Sequence, residues 1–172
     1  MKKILLSILC VFSLVVFGQL EDDRGYKVKV GDMAPVFKMK LVNGETFDLA
    51  KQKNKIVMLQ FTASWCSVCR KEMPFIESDI WQKHKANPDF VLVAIDRDEP
   101  LEIVKKFKES TRISYPIGLD PKSKIFTLYA LPEAGITRNV IIDKEGRIVK
   151  LTRLFNDIEF AQMTQMIDNL LK

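Results

Sequence analysis

The chain has little cysteine and almost no histidine: three cysteines and one histidine in 172 residues. A structural zinc site wants four ligands. Two cysteines outside the leader and the single His84 do not supply them. Excess charge is scarce too. The formal net charge is +5, and it falls to +3 without Lys2 and Lys3. That is too mild to argue for nucleic acid. Basic residues also alternate with acids, as in Asp96-Arg97-Asp98-Glu99, the pattern of a solvated surface. No apolar run reaches the roughly 18 residues of a membrane span, and there are no repeats or low-complexity segments.

The first residues read as a secretory leader. Lys2 and Lys3 form a basic start, Ile4 to Phe17 an apolar core, and small Gly18 follows. Residues 1–18 are read as a signal peptide cleaved near Gly18, with an uncleaved anchor as the alternative. Cys10 lies within the apolar run behind Leu9, not behind the small residue of a lipoprotein signal, and is a bystander. Export places the remaining cysteines in an oxidising compartment, read as a bacterial periplasm. About 150 residues then remain, enough for one domain with its own core.

Residues 19–30 are a polar lead-in, and residues 31–172 form the domain. Val36–Leu41 and Glu45–Leu49 flank Asn43-Gly44, a hairpin signal. Ile56–Thr62 and Phe90–Ile95 read as buried strands. Ser67 to about Lys85 reads as a helix, with Cys69, Met73, Ile76 and Ile80 on one stripe. Glu99–Ser110 is a second helix with Ile103, Val104 and Phe107 facing inward, and Asp120-Pro121 opens a third that runs to about Tyr129. Asn139–Asp143 and Arg147–Leu151 are strands, and Asp157 to about Leu171 closes the chain as a helix. Strands alternating with helices, then a terminal hairpin, predict a three-layer α/β/α sandwich with a mixed central sheet and an extra N-terminal hairpin.

The chemistry concentrates in Trp65-Cys66-Ser67-Val68-Cys69-Arg70, a C-x-x-C at a strand-to-helix turn. Exposed N–H groups and the macrodipole at a helix start stabilise a thiolate, which makes Cys66 the nucleophile. Cys69, one turn further in, is placed to attack a mixed disulfide at Cys66 and release a reduced client. A structural disulfide closing so short a loop removes little chain entropy; that reading and metal binding remain the alternatives. Glu72, three residues past Cys69, is a candidate proton acceptor for it, or an ordinary surface glutamate paired with Arg70 or Lys71. Pro74 cannot donate to the Arg70 carbonyl and should kink the helix. Trp65 is either a contact surface beside the nucleophile or simple packing. His84, at the far end of the helix, is packed or solvent-facing.

The stretch Phe61-Thr62-Ala63-Ser64-Trp65-Cys66-Ser67-Val68-Cys69-Arg70-Lys71-Glu72-Met73-Pro74-Phe75 resembles the active-site region of TlpA-like and ResA-like thiol–disulfide oxidoreductases, exported members of the thioredoxin superfamily. The likeness extends to Gly31–Phe37, the Asn43-Gly44 turn and Val140–Ile148. It implies a thioredoxin-like fold without a cofactor, with Cys66 attacking, Cys69 resolving and Glu72 in the active site. It also implies protein clients such as apocytochrome c or other exported proteins, and a membrane thiol donor of the DsbD or CcdA type. Trp65, Ile136 and Thr137 would contact the client. Two departures stand out. Thr137 occupies the place of the family's cis-proline, in Gly135-Ile136-Thr137. A cis bond before a non-proline costs about 2.5–4 kcal/mol, so a trans Ile136–Thr137 bond is expected, with the threonine hydroxyl available to the Cys66 thiolate. Gln60 stands where thioredoxins carry a buried aspartate, which leaves Glu72 as the better candidate base.

Two other functions fit parts of the pattern. A thiol peroxidase of the peroxiredoxin kind would place threonine three residues before its cysteine; here Thr62 is four before Cys66 and residue 63 is alanine. A copper-binding assembly factor would use the same two thiolates for Cu(I). Such proteins usually add a distal histidine, and Gly135–Asp143 contains none.

Overall fold

The computed structural model describes residues 24–172. The expected leader, its cleavage near Gly18, Cys10 and the first part of the lead-in lie outside the described residues. No helix among the described residues is long and apolar enough to cross a membrane.

Among the described residues, seven strands and five α-helices follow in order: β1 Lys38–Lys40, β2 Thr46–Asp48, β3 Ile56–Thr62, α1 Ser67–Phe75, α2 Gln82–His84, β4 Phe90–Arg97, α3 Leu101–Thr111, β5 Ile117–Asp120, α4 Phe126–Tyr129, β6 Arg138–Ile142, β7 Ile148–Arg153 and α5 Asp157–Leu170. A five-stranded sheet runs β5-β4-β3-β6-β7, and β1 and β2 form a separate hairpin. β3, β4 and β5 pair in parallel. β6 and β7 enter antiparallel. The result is the expected mixed sheet. β3 is buried along its whole length because it is central and covered on both faces.

Side-chain alternation divides the core in two. Val57, Leu59 and Phe61 face Phe37, Phe47, Phe126 and Tyr129. Ile56 and Met58 face Met73, Ile76 and Ile80 of the first helix, Val104 and Phe107 of α3, and Phe160, Met163 and Ile167 of α5. Ile103, expected inward, is exposed. The inner stripe of α3 is carried by Val104 and Phe107 three residues apart, and Ile103 falls on its flank.

β5 was not expected. Ile117-Gly118-Leu119-Asp120 is short and holds a glycine, so it carries little strand signal of its own. Pairing with β4 makes it a strand, and the hairpin covers its outer edge through Val42 N–H to the Ile117 carbonyl at 2.9 Å. A Cβ at Gly118 would meet the Met39 sulfur at 2.5 Å, so a larger residue there would have to displace the Met39 side chain of the hairpin. The helix expected from Asp120 is broken for a related reason. Lys122 and Ser123 are left-handed, and the Asp120 carboxylate instead accepts from Ile125 and Phe126 N–H. Only the short α4 remains.

The first helix extends to His84 as expected, but Ile76–Trp81 is π-helical. Pro74, two turns into it, lacks the N–H that would bond Arg70, and the ladder readjusts just beyond. Residues 24–30 do more than lead in. Tyr26 and Val28 pack against the core, and Gly31 N–H bonds the Ile148 carbonyl at 2.8 Å.

α5 begins at Asn156, whose side chain accepts from Ile158 and Glu159 N–H. Replacing this cap with Ala should cost about 1 kcal/mol. Chemical denaturation of Asn156→Ala measures it, and an unchanged midpoint would mean that the cap is redundant.

Candidate active site

The dithiol sits where β3 ends and α1 begins. Cys66 is the N-cap of α1, and its sulfur accepts the Cys69 N–H at 3.2 Å. Cys66 and Cys69 form a disulfide with Cα atoms 5.3 Å apart. Their exposures differ: Cys66 keeps 7% of its surface, and Cys69 none.

Thr137 lies opposite them, immediately before β6. Its Oγ1 is 3.2 Å from the Cys66 sulfur and 3.3 Å from that of Cys69. Neither sulfur of a disulfide carries a proton, so the hydroxyl is the donor. No cis peptide bond occurs among the described residues, so the Ile136–Thr137 bond is trans as expected. The Thr137 carbonyl accepts the Leu154 N–H at 3.1 Å, which ties this loop to the end of β7.

Glu72 is not on the helix surface: it is 2% exposed. The turn that carries it faces the sheet, where three polar side chains receive it. Asn139 Nδ2 donates to Glu72 Oε1 at 2.7 Å and also reaches Thr152 Oγ1 at 3.0 Å. Gln60 pairs with Asn139 across β3 and β6, and its Oε1 accepts from the Tyr115 hydroxyl at 2.8 Å. Glu72 Oε2 and Gln60 Nε2 each lack a partner in hydrogen-bonding geometry. Burial raises the Glu72 pKa from 4.5 to about 7, against the opposing pull of the Asn139 and Gln60 amides. Glu72 also borders a narrow crevice, too tight for a water molecule, with Thr152, Leu154, Asn156, Glu159, Phe160 and Met163.

The remaining expected site residues divide. Trp65 is 65% exposed beside Cys66, at the surface and not in the core. The side chain of Ile136 is buried against the core, which leaves only its backbone for contact with a client. His84 is remote, bonded to Asp168 at 2.7 Å and edge-on to Phe90. No group of three or more His, Cys, Asp or Glu side chains that could hold a metal ion occurs among the described residues. Asn139 was missed in the sequence. Its place two residues after Thr137 is a usable signal, because strand residues i and i+2 share a face.

The redoxin family model matches residues 29–167. The chain belongs to the redoxin family. It is 30% identical over 150 residues to a thiol-disulfide oxidoreductase ResA of Bacillus cereus, covering 87% of this chain and 84% of that one. The solution structure of a Bacteroides thetaiotaomicron protein designated a protein disulfide isomerase matches with 61% identity and a TM-score of 0.84, covering 86% of this chain and 92% of that one. A Chlorobium tepidum protein designated the thiol:disulfide interchange protein DsbE matches with 26% identity and a TM-score of 0.74, covering 84% and 99%. The fold is thus thioredoxin-like, and the protein is a thiol–disulfide oxidoreductase of the ResA and DsbE type with Cys66 and Cys69 as its C-x-x-C pair.

Proposed function

We propose that this redoxin reduces disulfides in exported proteins, with Cys66 attacking, Cys69 resolving and Glu72 taking the proton from Cys69. The observation that carries this reading is the asymmetry of the two sulfurs. Cys66 Sγ has two donors, the Cys69 N–H and the Thr137 hydroxyl, at a helix start. Cys69 Sγ has only the hydroxyl and no exposure. Donors and the helix dipole favour a thiolate on Cys66, whereas burial keeps Cys69 protonated until a base acts.

The steps balance. The Cys66 thiolate attacks one sulfur of the client disulfide and expels the other as thiolate, leaving a mixed disulfide. Cys69 gives its proton to the Glu72 carboxylate and attacks Cys66 Sγ, and the second client thiolate departs. The client gains two electrons, and Cys66–Cys69 returns as the disulfide. A membrane thiol donor of the DsbD or CcdA type would then restore the dithiol. Exposed Trp65 offers the client an apolar contact beside the reacting sulfur. The leader read over residues 1–18 supports a periplasmic site of action, and apocytochrome c is the client class to test first.

The test is equilibrium of residues 19–172 with glutathione and dithiothreitol buffers, followed by reduction of a disulfide-bonded apocytochrome c. A two-electron couple well below about −200 mV and reduction of the client support the reading; a couple near about −120 mV reverses the electron flow. Thr137→Val, which removes the hydroxyl and keeps the shape, should raise the Cys66 thiol pKa. The pH dependence of alkylation measures this. An unchanged midpoint would remove Thr137 from thiolate stabilisation.

A further inference from the structure

Residues 24–27 form a short strap along the chain that follows α4. The Gly25 carbonyl accepts the Leu131 N–H at 2.9 Å, and the Lys27 N–H donates to the Tyr129 carbonyl at 2.8 Å. Arg24 ties the strap to two further elements. Its Nη1 pairs with Glu159 of α5 at 2.7 Å, and its Nη2 donates to the Leu151 carbonyl of β7 at 3.2 Å. The Tyr26 hydroxyl donates to the Thr152 carbonyl, also on β7. The fit is close. Gly25 is left-handed, and a Cβ there would meet Ala134 Cβ at 2.8 Å and Arg138 Nη2 at 3.1 Å.

Arg138 joins this strap to the loop that carries Thr137. It is the first residue of β6, directly after Thr137, and it is fully buried. Its Nε donates to the Gly135 carbonyl at 2.9 Å, two residues before Thr137. Its Nη2 donates to the Arg24 carbonyl. Its guanidinium carbon lies 4.3 Å from the centre of the Tyr26 ring, within cation–π reach. One side chain therefore holds the loop at one end and the strap at the other. Burying a guanidinium is costly, and Nη1 has no hydrogen-bond partner. What the group adds over an apolar residue is a rigid fork of donors that fixes two backbone segments together. From the other side, the Leu154 N–H holds the Thr137 carbonyl at 3.1 Å. Between these two holds the Thr137 hydroxyl lies 3.2 and 3.3 Å from the sulfurs, so a small drift of the loop weakens both contacts.

We propose that Arg138 is a positioning residue for the dithiol: it clasps the Gly135–Thr137 loop to the strap at residues 24–26 and so sets the Thr137 hydroxyl on the sulfurs. Its own hydrogen bonds go to backbone carbonyls and none to sulfur. The strap thus belongs to the active site although it lies far ahead of both cysteines in the chain. When the clasp opens, the Cys66 thiolate loses a donor and its pKa rises. The inference rests on the reading that Thr137 stabilises that thiolate for its consequence, and on the clasp for its cause.

Two variants open the clasp in different ways. Arg138→Met removes the guanidinium and keeps an unbranched chain in its place. Gly25→Ala keeps the guanidinium and its charge but pushes the strap off it. Amide exchange in the oxidised full chain reads the loop. In both variants the Leu154 N–H should exchange about tenfold faster relative to the amides of β3, which report global opening. Alkylation of the reduced full chain, followed by mass spectrometry of the Cys66 peptide, reads the thiol. Its pH midpoint should rise in both variants towards that of Thr137→Val, and neither should raise it further in a Thr137→Val background. Leu154 exchange that keeps step with β3 in both variants overturns the clasp. A rise in Arg138→Met that persists in the Thr137→Val background, with none in Gly25→Ala, overturns the positioning role, because a lost charge acts without the hydroxyl. A wild-type midpoint in Thr137→Val itself overturns the thiolate reading, and Leu154 exchange still decides the clasp. Neither readout involves a client, so failure here is distinct from failure of client reduction.

Discussion

Cys69→Ser arrests the protein as a covalent complex with its client through Cys66, and steady-state reduction falls by on the order of a thousandfold or more. The reason is geometric. Cys66 retains its N-cap position, its two hydrogen-bond donors and its exposed edge, so the first exchange proceeds. The thiol placed to resolve it, with its Cα 5.3 Å away, is gone. Cys66→Ser should form no complex, because the buried Cys69 is not open to a client. Non-reducing electrophoresis and mass spectrometry after incubation with a disulfide-bonded client read both variants. Complex accumulating on Cys66→Ser instead would reverse the roles of the two thiols.

Glu72→Gln should make the oxidised protein more stable above neutrality while slowing its second step. Glu72 ionises near 7 in the fold against an ordinary 4.5. The folded pKa is raised, so the stability contributed by the neutral carboxyl is complete below about pH 4.5 and is lost as pH rises through about 7. At roughly 1.4 kcal/mol per tenfold change in proton affinity, the loss is about 3 kcal/mol. Gln cannot ionise, so denaturation at about pH 8 should find the variant about 2–3 kcal/mol more stable than wild type, with less advantage at about pH 5. The portion of the pH dependence that belongs to Asp96, whose pKa burial raises to about 8, should remain. Resolution of the mixed disulfide should rise through about pH 7 in wild type, as the Glu72 carboxylate forms, and flatten in the variant. Equal stability at both pH values would mean that the carboxyl is solvated. A gain in stability without a change in the resolution profile would remove Glu72 from proton transfer. Stability given up for a tuned group is common at active sites.

The site was legible where its chemistry is local in the chain. The Cys66 and Cys69 spacing, the helix start and the break at Pro74 are all relations within a dozen residues. The likeness to ResA-like proteins drew attention to Glu72, but Arg70 and Lys71 beside it made a surface ion pair as reasonable from the residues alone. Thr137 was legible only by alignment to a family pattern, since 68 positions separate it from Cys69. Asn139 and Asp96 gave no local signal. Each is a polar residue in or beside an apolar strand, and which face it occupies follows from the register of β6 on β3 and of β4 on β3. The fold divides in the same way. Strong apolar runs such as Ile56–Thr62 were clear, whereas β5 and the interruption after Asp120 were not, because Gly118 answers to the hairpin and the Lys122 N–H to the Asp98 carboxylate, 24 positions away.

By itself, then, the order of residues determined that two thiols would meet at a helix start after a buried strand, because hydrophobic periodicity and the C-x-x-C spacing act over one or two turns. Only the tertiary structure decided which groups surround those thiols. Parallel and antiparallel pairing around β3 sets Thr137 on both sulfurs, buries Glu72 among Asn139 and Gln60, and closes the Asp96 carboxyl into the fold without a hydrogen-bond donor. Burial and distance govern proton affinity, and neither is a property of sequence neighbours.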